Sequence, residues 1–267
     1  MTKAKQLQRA LHLAVSAAVL VWLAGASPNC RAQAKAREVH VLAASDLQSV
    51  LPALANAFEQ ISGIKLVVSY GSSATLATQI LNGDPADVFL SADFTFPEKI
   101  VAQGLADTPE PLGYARGALV LWARKDSPLQ PLTQNTLAEG KFAALAIANP
   151  DHAPYGRAAV AALNAMKIYA ALKPKIVQAE NIAQTAEFVE SGNAQVGLIS
   201  LTTASSEHFK QIGSFILIPP EAYPEIRQCA VVMKKSAHRD DAHAFLDWLR
   251  SPAIQAKLPE YGLEAER

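Results

Sequence analysis

Two hydrophobic periods alternate along the chain from Val39 onward. Val39–Ala43 is a short apolar run ending in small residues, the pattern of a buried strand. Leu47, Val50, Leu51, Leu54 and Phe58 then recur at helical spacing behind the capping-box pair Ser45 and Gln48, and Gly63 closes that helix. Ile64–Ser69 predicts a second strand, Thr75–Leu81 a helix stopped by Asn82-Gly83, and Val88–Leu90 a third strand. The pattern restarts after Ala118. Leu119–Ala123, Ala144–Ile147, Lys175–Val177, Val196–Ser200, Phe215–Ile218 and Cys229–Met233 predict strands, and Gly156–Met166, Ile182–Glu190 and Asp240–Leu249 predict helices.

Strand, turn and helix in regular alternation predict an α/β fold of mostly parallel sheets with helices on both faces. The chain shows no internal repeat, no low-complexity segment and no flexible linker. If it forms two domains, short ordinary segments must join them.

The first residues have a different character. Lys3, Lys5 and Arg9 precede an apolar run from Leu11 to Ala24, and Ala32-Gln33-Ala34 has the small-x-small pattern of a signal-peptidase site. Residues 1–34 therefore read as a cleaved export signal, with Lys35 as the first mature residue. The apolar run is shorter than the ~20 residues of a membrane span. Lipid attachment would use Cys30, but Pro28 and Asn29 before it are not the small residues such a site needs. Cleavage removes four basic residues and no acids, leaving 20 lysines and arginines against 24 acids, a net charge of −4. Such a chain lacks the basic footprint of a nucleic-acid binder. One cysteine remains, Cys229, in an apolar strand-like run, where it reads as a small buried hydrophobe.

The candidate chemistry lies in two strand-to-helix turns, Ala43-Ala44-Ser45 and Gly71-Ser72-Ser73. A helix start presents unpaired N–H groups and about half a positive charge, so it can hold an anion without a cationic side chain. A serine there is by itself an ordinary cap contributing ~1 kcal/mol. Two such turns at the carboxyl ends of neighbouring strands occupy the usual ligand position of an α/β sheet.

The whole of the chain from Val39 onward resembles the molybdate-binding proteins of ABC importers. The motifs are Leu42-Ala43-Ala44-Ser45, the run from Ser69 to Ile80, the run from Gly83 to Asp93, the run from Asn149 to Gly156, Gln195–Ser200, and Tyr261-Gly262. The resemblance implies a two-lobed type II periplasmic-binding fold with the ligand between the lobes. Residues 35–115 and 225–267 would form the first lobe and residues 116–224 the second. Carried over by motif, Ser45 and Ser73 would donate from the first lobe, and Tyr155 and Ile182 would offer backbone N–H from the second. Asp46 and Ser200 are further candidates. Asp46 would either point to solvent or turn only its N–H to the ligand, and Ser200 stands where some members of the family carry a site tyrosine. The bound species would be molybdate or tungstate, with no cofactor and no direct metal ligand. A transporter permease would be the partner, the periplasm the location, and a monomer the working form.

Other chemistry finds less support. No Gly-x-Ser-x-Gly elbow, Walker loop or dinucleotide fingerprint occurs, so an enzyme is not expected. A different anion in the same fold, such as sulfate or a phosphonate, is the main alternative. His238, His243, Asp240 and Asp241 sit close together in sequence, but a histidine spacing of five places the two rings off a common helical face. His152 reads as ordering its loop, Arg116 as an exposed hinge residue, and Asp87 and Asp93 as turn or capping groups.

Overall fold

The computed structural model describes residues 37–266, within a compact unit spanning Ala36–Arg267. The expected export signal, with Cys30, the Ala32-Gln33-Ala34 site and Lys35, lies outside the described residues. The first lobe opens with β1 (Arg37–Ala44), a 3-10 turn (Ser45–Ser49), α1 (Leu51–Ser62), β2 (Ile64–Gly71), α2 (Ser73–Leu81), β3 (Val88–Ser91), α3 (Thr95–Ala102) and β4 (Leu112–Gly117). The second comprises β5 (Leu119–Arg124), β6 (Leu145–Ala148), α4 (Pro154–Ala165), β7 (Ile176–Ala179), α5 (Ile182–Glu190), β8 (Val196–Ser200), the short α6 (Leu201–Ala204) and β9 (Gly213–Leu217). The chain then returns to the first sheet with β10 (Ile226–Val232), α7 (Arg239–Leu249) and β11 (Leu263–Ala265).

The first sheet has the order β11-β4-β10-β3-β1-β2, and the second β7-β6-β8-β5-β9. Both are mixed, not mostly parallel. β1 runs parallel to β2 and β3, but β10 runs antiparallel to β3 and β4, and β11 antiparallel to β4. In the second sheet β6 is parallel to β7 and β8, whereas β5 is antiparallel to β8 and β9. The reversed strands flank the two passages between lobes, where the chain enters each sheet without a crossover helix.

Side chains alternate between two cores, as a two-residue period requires. In the first lobe Val39, Val41, Val88, Leu90, Ala230 and Val232 face Leu51, Leu54 and Phe58 of α1 and Phe245 and Leu249 of α7. Leu42, Phe89 and Val231 point the other way, onto Leu76 and Ile80 of α2 and Phe96 and Ile100 of α3. In the second lobe Leu119, Leu121, Leu145, Ile147 and Leu198 meet α4 through Ala159 and Leu163. Val120, Trp122, Ala146 and Ile199 meet α5 through Ala186 and Val189.

Ala118 alone separates β4 from β5, and the return passage runs from Ile218 to Glu225. Tyr223 ties the two passages together, its hydroxyl accepting from the Leu119 N–H at 3.0 Å. Arg116 is not the exposed residue the sequence suggests. Only 12% of its side chain is exposed, with Glu225 at 2.8 Å and Glu264 at 2.9 Å, and its Nε donates to the Ala265 carbonyl at 3.0 Å.

Candidate anion site between the lobes

Five chain turns converge between the two sheets: the 3-10 turn after β1, the starts of α2, α4 and α5, and Ala92 after β3. Together they surround a narrow pocket lined among others by Ser45, Asp46, Ser73, Tyr155 and Ile182. Among the described residues no lysine, arginine or histidine lines it. The donors are local products of sequence. Pro154 starts α4 and supplies no N–H, and the first turn of any helix leaves its amides without intrahelical acceptors. The amides of Ser73, Tyr155 and Ile182, each in the first turn of its helix, accordingly have no backbone acceptor outside that helix among the described residues.

The two serine turns divide their labour differently from the capping pattern. Ser45 caps nothing: Ala44 holds the cap position of the 3-10 turn and α1 begins only at Leu51, with Pro52 in its first turn. At the second turn Ser72 is the cap, accepting from the Thr75 N–H at 3.2 Å. Ser73 lies one residue further on, its Oγ accepting from the Ala92 N–H at 3.2 Å, which leaves the hydroxyl proton available to a guest.

Asp46 departs from one expectation. It does not point to solvent; it is fully buried. Its Oδ2 accepts from Gln228 Nε2 at 2.5 Å and from the Tyr155 hydroxyl at 3.2 Å, while Oδ1 has no partner. Burial pushes its carboxyl up to about 7, against the opposing pull of the Gln228 and Tyr155 hydrogen bonds. Burial and the neighbouring Asp46 also raise the Tyr155 phenol well above its ordinary range. That phenol is therefore engaged behind the pocket, and the residue meets the pocket at the start of its helix.

Ser200 is not among the lining residues. Its Oγ caps α6 by accepting from the Thr203 N–H at 3.3 Å and accepts from the Thr202 hydroxyl at 2.8 Å, so the sequence's guess of a site role does not match its place. His152 also stands outside the pocket, its ring 3.0 Å from Glu180. That contact holds the Glu180 carboxyl below its usual range. Asp93 bonds locally to Ser91 but also pairs across the lobes with Arg157, and Asp87 accepts from the His40 N–H at 2.8 Å and Ser236 Oγ at 2.6 Å. His243 binds Asp107 at 2.9 Å and Asp241 pairs with Arg37.

The pocket is closed by bonds between lobes. The Ala74 N–H donates to the His152 carbonyl at 3.1 Å, Thr75 Oγ1 to Glu180 at 3.0 Å, and Thr202 Oγ1 to the Asp46 carbonyl at 2.7 Å. A larger, mostly apolar groove of about 510 Å³, lined by His40, Asp87, Met233 and Ser236 among others, borders the opposite end of β3. It lies away from the helix starts that supply donors.

Sequence reasoning missed Gln228, Tyr114 and Thr202. Gln228 lies within β10 directly before the apolar run Cys229-Ala230-Val231-Val232, and a lone amide beside such a run is a usable signal of a buried polar contact. Tyr114 and Thr202 carry no comparable mark.

A family model for bacterial extracellular solute-binding proteins matches residues 39–264, nearly all of the described chain. The chain belongs to that family. This solute-binding protein is 36% identical over 229 residues to the molybdate-binding protein ModA of Azotobacter vinelandii, covering 86% of this chain and 90% of the relative. It is 33% identical over 233 residues to the protein of the same name from Rhodobacter capsulatus, covering 87% and 90% respectively. The solved structure of the Azotobacter vinelandii periplasmic molybdate-binding protein superposes with a TM-score of 0.79 at 33% identity, over 86% of this chain and 100% of that one. The agreement in fold extends to both lobes. No helix among the described residues is long and apolar enough to cross a membrane.

Proposed function

We propose that this solute-binding protein captures molybdate, and tungstate with it, in the periplasm and delivers the anion as a monomer to the permease of an ABC importer. Residues 1–34 direct export and are removed. The protein performs no chemical conversion, as its relatives' names as binding proteins suggest. The observation that carries this reading is the pocket itself, a set of amide and hydroxyl donors from both lobes with no cationic side chain.

Burying an unpaired dianion costs tens of kcal/mol on the Born scale, and each hydrogen bond to a charged group returns about 1.5–3 kcal/mol. Roughly six to eight donors are needed, more than either lobe offers alone. Capture therefore requires closure, and the anion stabilises the closed arrangement by its greater affinity for it. Donors with few acceptors suit a tetrahedral oxyanion without a proton and disfavour monohydrogen phosphate, whose proton would lack a partner. Sulfate carries the right charge on shorter bonds and would leave amides underpaired.

Isothermal calorimetry on the mature chain tests the reading. Tight binding of molybdate and tungstate is expected, with sulfate and phosphate at least a hundredfold weaker. Sulfate binding equal to molybdate would overturn the assignment.

A further inference from the structure

A carboxyl in the wall of an anion pocket is an electrostatic contradiction, and Asp46 is such a group. It is completely buried and lines the same pocket as Ser45, Ser73, Tyr155 and Ile182. In most buried carboxylates a guanidinium or ammonium neutralises the charge. Among the described residues no such partner reaches Asp46. Arg116, Arg157 and Arg227, on the elements nearest the cluster, are each paired elsewhere, with Glu225 and Glu264, with Asp93 and with Glu266.

The titratable groups that do reach Asp46 are phenols, Tyr155 from α4 and Tyr114 from β4, with Cys229 of β10 acting on Tyr114. The elements packed against the 3-10 turn add no cation. Lys65 on β2 bonds Glu38 of β1, and His40, Tyr70, Glu59, Glu187 and Glu190 make no bond or ion pair with Asp46 among the described residues. The hydrogen-bond inventory agrees. Both side-chain donors to the carboxyl, from Gln228 and Tyr155, converge on Oδ2, and among the described residues the only further donor near it is the residue's own backbone N–H. Oδ1 and Gln228 Oε1 are buried acceptors without any donor. A proton on Oδ1 removes the unpaired charge and turns an orphaned acceptor into a donor, in the wall of a site whose guest carries only acceptor oxygens.

We propose that Asp46 is a neutral carboxylic acid when the anion is bound, so that capture of the dianion takes up a proton from solvent. The inference rests on the anion-binding reading above and makes Asp46 a selectivity residue: neutral, it admits a fully deprotonated oxyanion, whereas an ionised Asp46 would repel it and accept a proton from monohydrogen phosphate. The sign follows by linkage. The bound dianion holds the proton on Asp46 more tightly than the free protein does. Affinity is therefore greatest at low pH and falls as pH rises through the window between the free and the bound titration points. Burial, net of the hydrogen bonds that oppose it, already brings the carboxyl to about 7 without an anion, which places the upper end of that window above neutrality.

The test is calorimetry of molybdate binding to the mature protein from pH 6 to 9, in two buffers of different ionisation enthalpy, where molybdate itself stays deprotonated. The wild type should lose up to about tenfold in affinity per pH unit within the window and take up as much as one proton per anion there, falling to none on either side of it. Asp46→Asn, which carries no titratable proton, should bind with a flat profile and no uptake. Tyr155→Phe, which removes a donor that favours the ionised form, should move the wild-type fall to higher pH. Measurable wild-type binding that is independent of pH and releases or absorbs no proton overturns this inference alone. So does a slope unchanged in Asp46→Asn. Absence of molybdate binding at every pH, with tight phosphate binding in its place, overturns both this inference and the functional reading.

Discussion

At the scale of single residues, Asp46 sets stability as well as charge. Its folded-state carboxyl titrates near 7 against an ordinary value of 3.8, so the folded chain binds this proton more tightly than the unfolded chain. Stability then falls as pH rises from about 4 to about 7, and the deficit persists above that range. A shift of this size corresponds to a penalty on the order of 4 kcal/mol, as an upper figure. Asp46→Asn should therefore raise the free energy of unfolding at pH 8 and change it little at pH 4, read from urea titrations at the two pH values. An equal effect at both would show that the substitution acts through packing and not through ionisation. The neighbouring glycine is constrained by the same cluster: a Cβ on Gly117 would stand 2.1 Å from the Tyr155 hydroxyl.

Elements place the donors, and α4 shows how tightly. Gly156 lies in its first turn with no room for a side chain, since a Cβ there would meet the Ala148 carbonyl oxygen at 2.3 Å and backbone at Asn149 at 2.8 Å. Backbone cannot give way as a flexible side chain can, so Gly156→Ala must lift the start of α4 off the end of β6. An overpacking cost of about 1–3 kcal/mol is expected, visible as a lower Tm in scanning calorimetry, together with at least a tenfold loss of molybdate affinity as the Tyr155 amide shifts. Unchanged affinity would mean the α4 amides are not ligands. Elements were also the most legible part of the sequence. Leu47 to Phe58, Ile64 to Ser69 and Ile182 to Glu190 announce their structure by period, because each buries one face or one stripe. The 3-10 turn was not legible, since Ser45 and Gln48 make a plausible capping pair and only Pro52 hints that the helix starts later. The helix α3 hides behind Pro97 in Phe94-Thr95-Phe96-Pro97, and strands β4 and β11 lack a clear alternation. Strand direction is set by pairings such as Cys229 with Ser91, more than a hundred residues apart, which no local pattern encodes. Ser45, Ser73, Tyr155 and Ile182, which the sequence places at turns, come together around one pocket. The partners of Asp46 were not legible, because Gln228 and Tyr114 come to it only through the folded sheet.

For the whole molecule the decisive quantity is the balance between open and closed lobes. The closed arrangement is held by neutral bonds such as Thr202 Oγ1 to the Asp46 carbonyl at 2.7 Å, by Thr75 Oγ1 to the Glu180 carboxylate at 3.0 Å, and by the Arg157–Asp93 pair. Neutral bonds contribute about 0.5–1.5 kcal/mol each, so a dianion gripped from both sides outweighs them. Small-angle X-ray scattering should show the free protein shrinking on saturation with molybdate. Thr202→Val, which removes one closing bond, should enlarge the free form and weaken molybdate severalfold. Identical scattering with and without the anion would rule out closure on binding. Gly262 belongs to the same interface: with φ of 77° and a Cβ position 2.8 Å from the Leu201 carbonyl, it lets a late segment of the first lobe lie against α6 of the second.

The order in which the strands occur along the chain has a bearing on synthesis. All five strands of the second sheet lie in one stretch, from Leu119 to Leu217, and are available to pair as soon as that stretch is made. The first sheet has β10 at its centre, between β3 and β4, and β10 is translated only after the other lobe is finished. A growing polypeptide can thus complete its second-made lobe first, while Ser45 and Ser73 wait on a half-built platform. Until Ile226–Val232 emerges there is no finished cradle, and no anion can be trapped by a chain still under construction.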